Sequence, residues 1–398
     1  MKRRSLAWIL AFASLLSPLG AEIEYRGVNL SAAEFGYFGP TSPDNQVPGT
    51  YGTDYLYADE SDFDYFRGVG MNTFRIPFRW ERIQQSLNGT LDTSELSRLT
   101  SVVDHVTGLG ANVILDVHNY ARYLTPTETL VLGTPTMDAA FANLWSRLGT
   151  EFGNRDGVIF GLMNEPFDVG SIDLASERVV NFSNLALGAI RDTGANNLVL
   201  VQGNGYSGAH SWEQDWYGTP NSSAMKNIVD PGNNFAFEVH QYVDNNPGFE
   251  SDYSGTTSQV ESATIGAEKL AGFTDWLRTN GYRGFLGEYG TPDSDLGVEA
   301  MFNGIEFVEE NADVWEGWAL WAGGPWWDDP DGTDRYTLSV NPLADGSMAP
   351  QLAALSPFLT PVPEPQTWIL VALAAAVLVA HRKIGKRASR HRQWTTMR

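Results

Sequence analysis

Short apolar runs recur along this chain, and each stops abruptly at polar, Gly or Pro residues. Eight of them read as strands: 23–30 (IEYRGVNL), 71–78 (MNTFRIPF), 111–119 (ANVILDVHN), 158–166 (VIFGLMNEP), 197–204 (NLVLVQGN), 234–242 (NFAFEVHQY), 283–290 (RGFLGEYG) and 314–323 (VWEGWALWAG). Runs this short, rich in Val, Ile and Phe, suit strands buried on both faces. Between them lie longer stretches with apolar residues at helical spacing, at 96–109, 137–152, 176–193 and 265–279. Strands alternating with helices predict βαβ units and parallel pairing. Eight strands in one body of this length predict a (β/α)8 TIM barrel, a single domain of α/β class. A doubly wound open sheet is the alternative. It needs a Gly-rich phosphate turn after the first strand, and GVNLSAAEFG does not have that form. The connection 31–62 is long and rich in Gly, Pro, Tyr and Asp, as functional or mobile loops often are.

Both ends break the pattern. Residues 1–21 have a basic start, an apolar middle and small residues at the close, the form of a secretory signal. At the other end, Val362-Pro363-Glu364-Pro365 is followed by the apolar run 368–380 and the basic tail 381–392. This resembles the bacterial Pro-Glu-Pro sorting signal, which implies an exosortase-type processing enzyme as a partner. The apolar run has 13 residues, short of the roughly 20 that span a bilayer unaided, and flanking residues would extend it. An ordinary tail anchor is the competing reading. The chain therefore divides into a signal peptide (1–21), a folded body (22–361) and a sorting tail with a short transmembrane segment (362–398). The expected location is extracellular or at the cell surface, with at least transient membrane anchoring through the C-terminus.

Composition narrows the partners. The 398 residues carry a formal net charge of −22 and include 13 Trp and no Cys. Without the basic ends, residues 22–361 hold 16 basic and 47 acidic residues, a net of −31. Such a body repels nucleic acid and anionic surfaces but not a neutral polysaccharide. The lack of Cys excludes disulfides, thiolate metal sites and a Cys nucleophile.

The strand ends carry the candidate chemistry. They bear Asn29, Arg75, His118 with Asn119, Asn164 with Glu165, Asn204, His240 with Tyr242, Glu288, and Trp321. In a barrel these converge on one face. Two carboxylates among them, Glu165 and Glu288, suggest paired acid/base and nucleophilic work on one substrate. A metal site built on His118 and His240 is a rival, but the usual His-x-His and His-Glu-x-x-His spacings are absent.

The segments NTFRIPFRW, VILDVHNYARY, GLMNEPFDV, FEVHQYVD, FLGEYG and GWALWAGG, in this order over 24–325, resemble the signature segments of glycoside hydrolase family 5. GVNLSAAEFG and HNYAR are most similar to its secreted endo-β-1,4-glucanases (cellulases). The resemblance implies a retaining double displacement on a β-glucan, with no cofactor. A monomer is the expected state. It implies Glu165 as general acid/base and Glu288 as nucleophile. Arg75 and Tyr242 would hold Glu288 ionised, and His240 would tune Glu165. Asn164 would bond the sugar 2-hydroxyl, His118 another hydroxyl, and Trp321 would stack on the sugar face. Asn29 and Asn119 would brace the barrel top. Trp212, Trp216, Trp326 and Trp327 are candidates for further subsites, and the acidic turn 328–334 is a faint Ca2+ candidate. Mannan, xyloglucan or mixed-linkage glucan as substrate, or an inactive glycan-binding protein, are the alternatives.

Overall fold

The computed structural model describes residues 21–36, 47–167, 174–216, 218–244, 259–328, 333 and 335–360. The signal reading (except Ala21), the sorting tail and most of the acidic turn lie outside these residues. Among the described residues, no helix is long and apolar enough to cross a membrane.

All eight predicted strands form. They are β1 (Tyr25–Leu30), β2 (Thr73–Phe78), β3 (Asn112–Val117), β6 (Val158–Gly161), β7 (Val199–Gln202), β8 (Phe235–Tyr242), β9 (Gly284–Gly290) and β10 (Trp315–Gly323). They close in the order β1-β10-β9-β8-β7-β6-β3-β2, every pair parallel, which is the (β/α)8 barrel. A small antiparallel hairpin, β4 (Arg122–Leu124) with β5 (Thr129–Val131), rises from the loop after β3.

The four predicted helices appear as α3 (Thr93–Gly108), α4 (Pro135–Phe152), α5 (Ser176–Asp192) and α7 (Ile265–Asn280). Two full helices were not anticipated, α1 (Glu60–Val69) and α8 (Asp295–Glu310). Short helices α2 (Trp80–Ile83), α6 (Asn221–Ala224) and α9 (Pro350–Ala354) complete the set. Helix α1 begins at the end of the long first connection. Asp59 caps it by accepting from the Ser61 amide, and the Asp62 side chain accepts from the Asp59 amide, so two otherwise orphaned donors are satisfied.

The barrel interior is layered because strand side chains alternate faces. Its lower layer is an apolar plug of Ile114, Ile159, Leu198, Leu200, Ala236, Phe285 and Ala319. Two residues further along the same strands, the inward positions become Asp116, Gln202 and Glu238, all buried. A larger core lies between barrel and helices. There Tyr289 points outward from β9 and its hydroxyl donates to the Ala300 carbonyl at 3.0 Å. Gly266 on α7 and Gly304 on α8 make room for it. A Cβ at either position would sit 2.0 and 1.9 Å from that hydroxyl oxygen.

Candidate active site

The polar strand ends converge at the upper rim. Arg75, fully buried on β2, is the hub. Its Nη1 donates to Glu288 Oε1 at 3.0 Å and to Asn29 Oδ1 at 2.8 Å, and its Nη2 donates to Asn164 Oδ1 at 2.8 Å. It also makes ion pairs with Asp116 (3.2 Å) and Glu238 (3.0 Å). Asn29 donates to the carbonyls of Gly287 and Leu320, at 2.8 and 3.1 Å, tying β1 to β9 and β10. Asn119 accepts from the Trp80 amide at 2.7 Å and donates to Glu81 at 2.6 Å. Both asparagines therefore brace the rim.

Glu288 owes its aim to a bulge. The β8–β9 register runs Val239 with Leu286 and then His240 with Glu288, so Gly287 is an extra residue on β9. The Glu288 carboxylate then accepts from Arg75 on one oxygen and from the Tyr242 hydroxyl on the other, at 2.6 Å. Burial pushes its pKa up to about 7, against the pull of His240, Arg75 and Tyr242, and with Glu165 adding to the rise. Burial beside Glu288 and Glu165 keeps the Tyr242 phenol protonated.

Glu165 follows the short strand β6. It lies in the left-handed region with φ 43°, an unfavourable setting for a residue with a Cβ. Tyr120, Ala121, Tyr206 and Ser207, in the loops after β3 and β7, share that setting. Strain concentrated at one rim is a mark of functional loops. The Glu165 side chain remains 15% exposed, whereas that of Glu288 is 3% exposed, so Glu165 is the carboxyl open to the cleft. His240 Nδ1 lies 2.8 Å from Glu165 Oε1 and 3.4 Å from Glu288 Oε2. One oxygen of each glutamate and this imidazole nitrogen all lie within 4.8 Å of one another. Such a set has metal-ligand spacing, although His240 Nδ1 and Glu165 Oε1 already face each other and Glu288 accepts from Arg75 and Tyr242.

Arg75, His118, Asn164, Glu165, His240, Tyr242, Glu288 and Trp321 meet as a single cluster. His118, also buried, has Nδ1 at 2.7 Å from Asp116 Oδ2 and Nε2 at 3.1 Å from both the Tyr120 hydroxyl and Asn164 Nδ2. Burial, then the charges of Arg75 and Arg79, hold the His118 pKa well below its ordinary value, so the ring is neutral. Nδ1–H donates to Asp116 and Nε2 accepts. A sugar hydroxyl at His118 would compete with Tyr120 and Asn164. Trp321, on β10, is 9% exposed and stacks on the His118 ring at 5.9 Å and 20°. Its edge meets Trp327 at 6.4 Å.

The remaining tryptophans divide. Trp212 is completely buried against Phe273 and Trp276, so it is core and not a subsite. Trp216 and Trp326 are exposed, and Trp326 stacks on Phe35 at 4.7 Å. Asn204 binds the Leu174 carbonyl and Asn221, and so anchors loops.

A cleft of about 490 Å³ opens beside Glu165, lined by Arg79, Tyr120, Arg122, Phe167 and Tyr206 among others. Phe167 and Tyr206 stack at 4.2 Å, and Arg122 lies 4.0 Å over the Phe167 ring. These cleft residues, and the buried acids Asp116 and Glu238, were not among the predicted site residues. One signal in the sequence points to the acids. Asp116-Val117-His118 and Glu238-Val239-His240 place a carboxylate two residues before each rim histidine, on the same face of its strand.

Comparison with known proteins agrees with this geometry. The sequence profile of the family described as Cellulase (glycosyl hydrolase family 5) matches residues 24–324. Endo-beta-1,4-glucanase B of Aspergillus niger is 36% identical over 322 residues, covering 79% of this chain and 87% of that protein. The crystal structure of the endo-beta-1,4-glucanase Xac0029 from Xanthomonas axonopodis pv. citri is 40% identical with a TM-score of 0.75, covering 84% of this chain and 98% of that one. Pseudomonas stutzeri endoglucanase Cel5A, solved in complex with cellobiose, is 30% identical with a TM-score of 0.69, covering 85% and 95%.

Proposed function

The chain belongs to glycosyl hydrolase family 5, and on that premise we propose that it hydrolyses internal β-1,4-glucosidic bonds of cellulose or a related β-glucan with retention of configuration. It is a glycoside hydrolase with the endo-β-1,4-glucanase activity of its relatives. The observation that carries the mechanistic reading is the approach of Glu165 and Glu288 to within 4.8 Å, oxygen to oxygen. Retaining glycosidases keep their carboxyls about 5–5.5 Å apart, whereas inverting enzymes leave about 6.5–9.5 Å for a water.

In this reading Glu288 is the nucleophile. Its bonds from Arg75 and Tyr242 favour the anion that must attack the anomeric carbon. Glu165, the more open of the two, donates its proton to the departing glycosidic oxygen. It then takes a proton from the water that cleaves the glycosyl-enzyme bond. His240 serves both states of Glu165 through the 2.8 Å contact. Asn164, fixed by Arg75, presents its amide toward the sugar 2-hydroxyl, a bond that strengthens in the transition state. Trp321 supplies an apolar face for the same sugar, and His118 supports it from behind. The aromatic cleft beside Glu165 takes the leaving-group side of the glucan.

The test is hydrolysis of carboxymethylcellulose and barley glucan by wild type, Glu165→Gln and Glu288→Gln. Loss of general acid/base help costs about 10²–10⁴-fold, and loss of the nucleophile is expected to cost at least as much. Unimpaired turnover in either variant would sink the assignment. Azide added to Glu288→Ala is expected to rescue cleavage as an inverted glycosyl azide.

The ends support a further part of the proposal: export through residues 1–21, and a Pro-Glu-Pro tail at 362–398 that an exosortase-type enzyme processes at the membrane. Truncation after residue 361 is expected to release the enzyme from the cell into the medium. Unchanged cell association would overturn the sorting role.

A further inference from the structure

We propose that Glu238 is a positioning residue that keeps His240 doubly protonated, so that a fixed cation stands between the two active-site carboxyls. The proposal deepens the reading above and rests on it only for the roles of Glu165 and Glu288.

The argument is one of donors and acceptors. His240 Nε2 lies 3.2 Å from Glu238 Oε1, while Nδ1 faces Glu165 at 2.8 Å and Glu288 at 3.4 Å. An ionised carboxylate only accepts hydrogen bonds, and a neutral imidazole has one N–H. A neutral His240 would therefore turn a lone pair on an anion, on Glu238 from Nε2 or on Glu288 from Nδ1, even while Glu165 carries its proton. Glu238 is built to be ionised. Gln202 Nε2 donates to its Oε2 at 2.6 Å, and Arg75 Nε lies 3.0 Å from its Oε1. Burial raises its pKa, but the Arg75 charge, then His240 itself and the Gln202 hydrogen bond, hold it below the ordinary carboxylate value. The space it occupies is reserved. A Cβ at Gly287 would sit 2.1 Å from Glu238 Oε1, so the bulge residue that aims Glu288 also admits Glu238.

The charged and titratable groups around His240 come from several parts of the barrel rim. They are Arg75 (β2), Asp116 and His118 (β3), Glu165 (after β6), Glu288 (β9) and Glu238 on β8 itself. Burial opposes the imidazolium, but Glu288, Glu165 and Glu238 together raise its pKa to about 10. The cation in turn is the largest influence opposing the burial of an ionised Glu288. Glu238 is fully buried and lies two residues below the rim, so it acts through His240 and not on substrate.

The experiment is an NMR titration of the histidine ring nitrogens in the full-length 15N-labelled enzyme, with the His240 signal assigned by its loss in His240→Asn. In wild type both ring nitrogens are expected to remain protonated through pH 8. In Glu238→Gln the midpoint should fall by at least about one pH unit, a tenfold loss of proton affinity. Glu238→Asp, which keeps the charge, should recover most of it. A neutral His240 in wild type at pH 7 overturns the proposal, as does an unchanged midpoint in Glu238→Gln. Should Glu238→Gln fail to fold, the wild-type titration still decides. An active Glu165→Gln would defeat the catalytic assignment without touching this result.

Discussion

Strands β3 and β8 carry the same device, a buried carboxylate two residues before a rim histidine, and put it to opposite use. On β3, Asp116 binds His118 at 2.7 Å, burial pushes the Asp116 pKa up to about 7, and His118 stays neutral. On β8, the Glu238 pKa is held down and that of His240 is raised to about 10. The difference lies on the far side of each ring. Beyond His118 stand a hydroxyl and an amide, Tyr120 and Asn164. Beyond His240 stand two carboxylates, Glu165 and Glu288. A three-residue motif therefore does not set the protonation state of its histidine. The third partner does, and that partner comes from another strand.

Removing the shared cation breaks the comparison most severely. Arg75 touches Asp116, Glu238 and Glu288, and Arg75→Met leaves three buried acids without it. A loss of about 5 kcal/mol is expected, read by urea unfolding at pH 7, since orphaning a buried charge costs about 3–5 kcal/mol. Replacing the two acids separately should sharpen the contrast. Glu238→Gln loses hydrogen bonds of a charged group and is expected to cost about 2–3 kcal/mol. Asp116→Asn should cost under about 1 kcal/mol at pH 7, because Oδ1 of Asp116 has no hydrogen-bond partner among the described residues and burial already disfavours its charge. Equal costs for the two would erase the distinction.

A further contrast is the pH dependence of stability. Glu34, Asp116 and Glu288 are raised from the ordinary carboxylate range to about 7, so the folded state binds protons that the unfolded chain has released. Stability from these groups is full below about pH 4 and declines as pH rises to about 7. His240 contributes stability that is full below about 6.5 and is lost as pH rises through about 10. Glu238, whose pKa is lowered, acts in the opposite sense at acid pH. Calorimetry should therefore give a higher Tm at pH 5.5 than at pH 8.5. Asp116→Asn should flatten the slope below pH 7 and Glu238→Gln the slope above it.

The barrel was legible because each strand is an unbroken apolar run, and those runs coincide with the observed strands to within a few residues. Helix α1 was hidden because it shows the core chiefly Phe63 and Phe66 and begins inside a loop-like composition. Helix α8 was hidden by Gly297 and Gly304, poor helix formers, of which Gly304 is present to clear the Tyr289 hydroxyl. At the site, residues ending an apolar run could be read from the chain. Asp116 and Glu238 sit inside strands and look like ordinary alternation, although a charge facing inward in a barrel has no solvent to meet. Tyr120, Phe167 and Tyr206 lie in loops whose meeting depends on the closed ring, which no local pattern specifies. An indole next to polar residues reads the same whether it faces sugar or core, so the sequence alone does not tell Trp212 from a subsite residue.

Tyr289 has a consequence for anyone altering this enzyme. It is the residue after Glu288, and its hydroxyl is lodged between Gly266 and Gly304 on the outer helices. The backbone that carries Glu288, the proposed nucleophile, is thereby tied to the outer helices. Helix-strengthening alanines at these two glycines look like routine thermostabilising substitutions. Here they would lever against the one tyrosine whose neighbour must not move, so a stabilisation campaign on the helical shell should leave both positions alone.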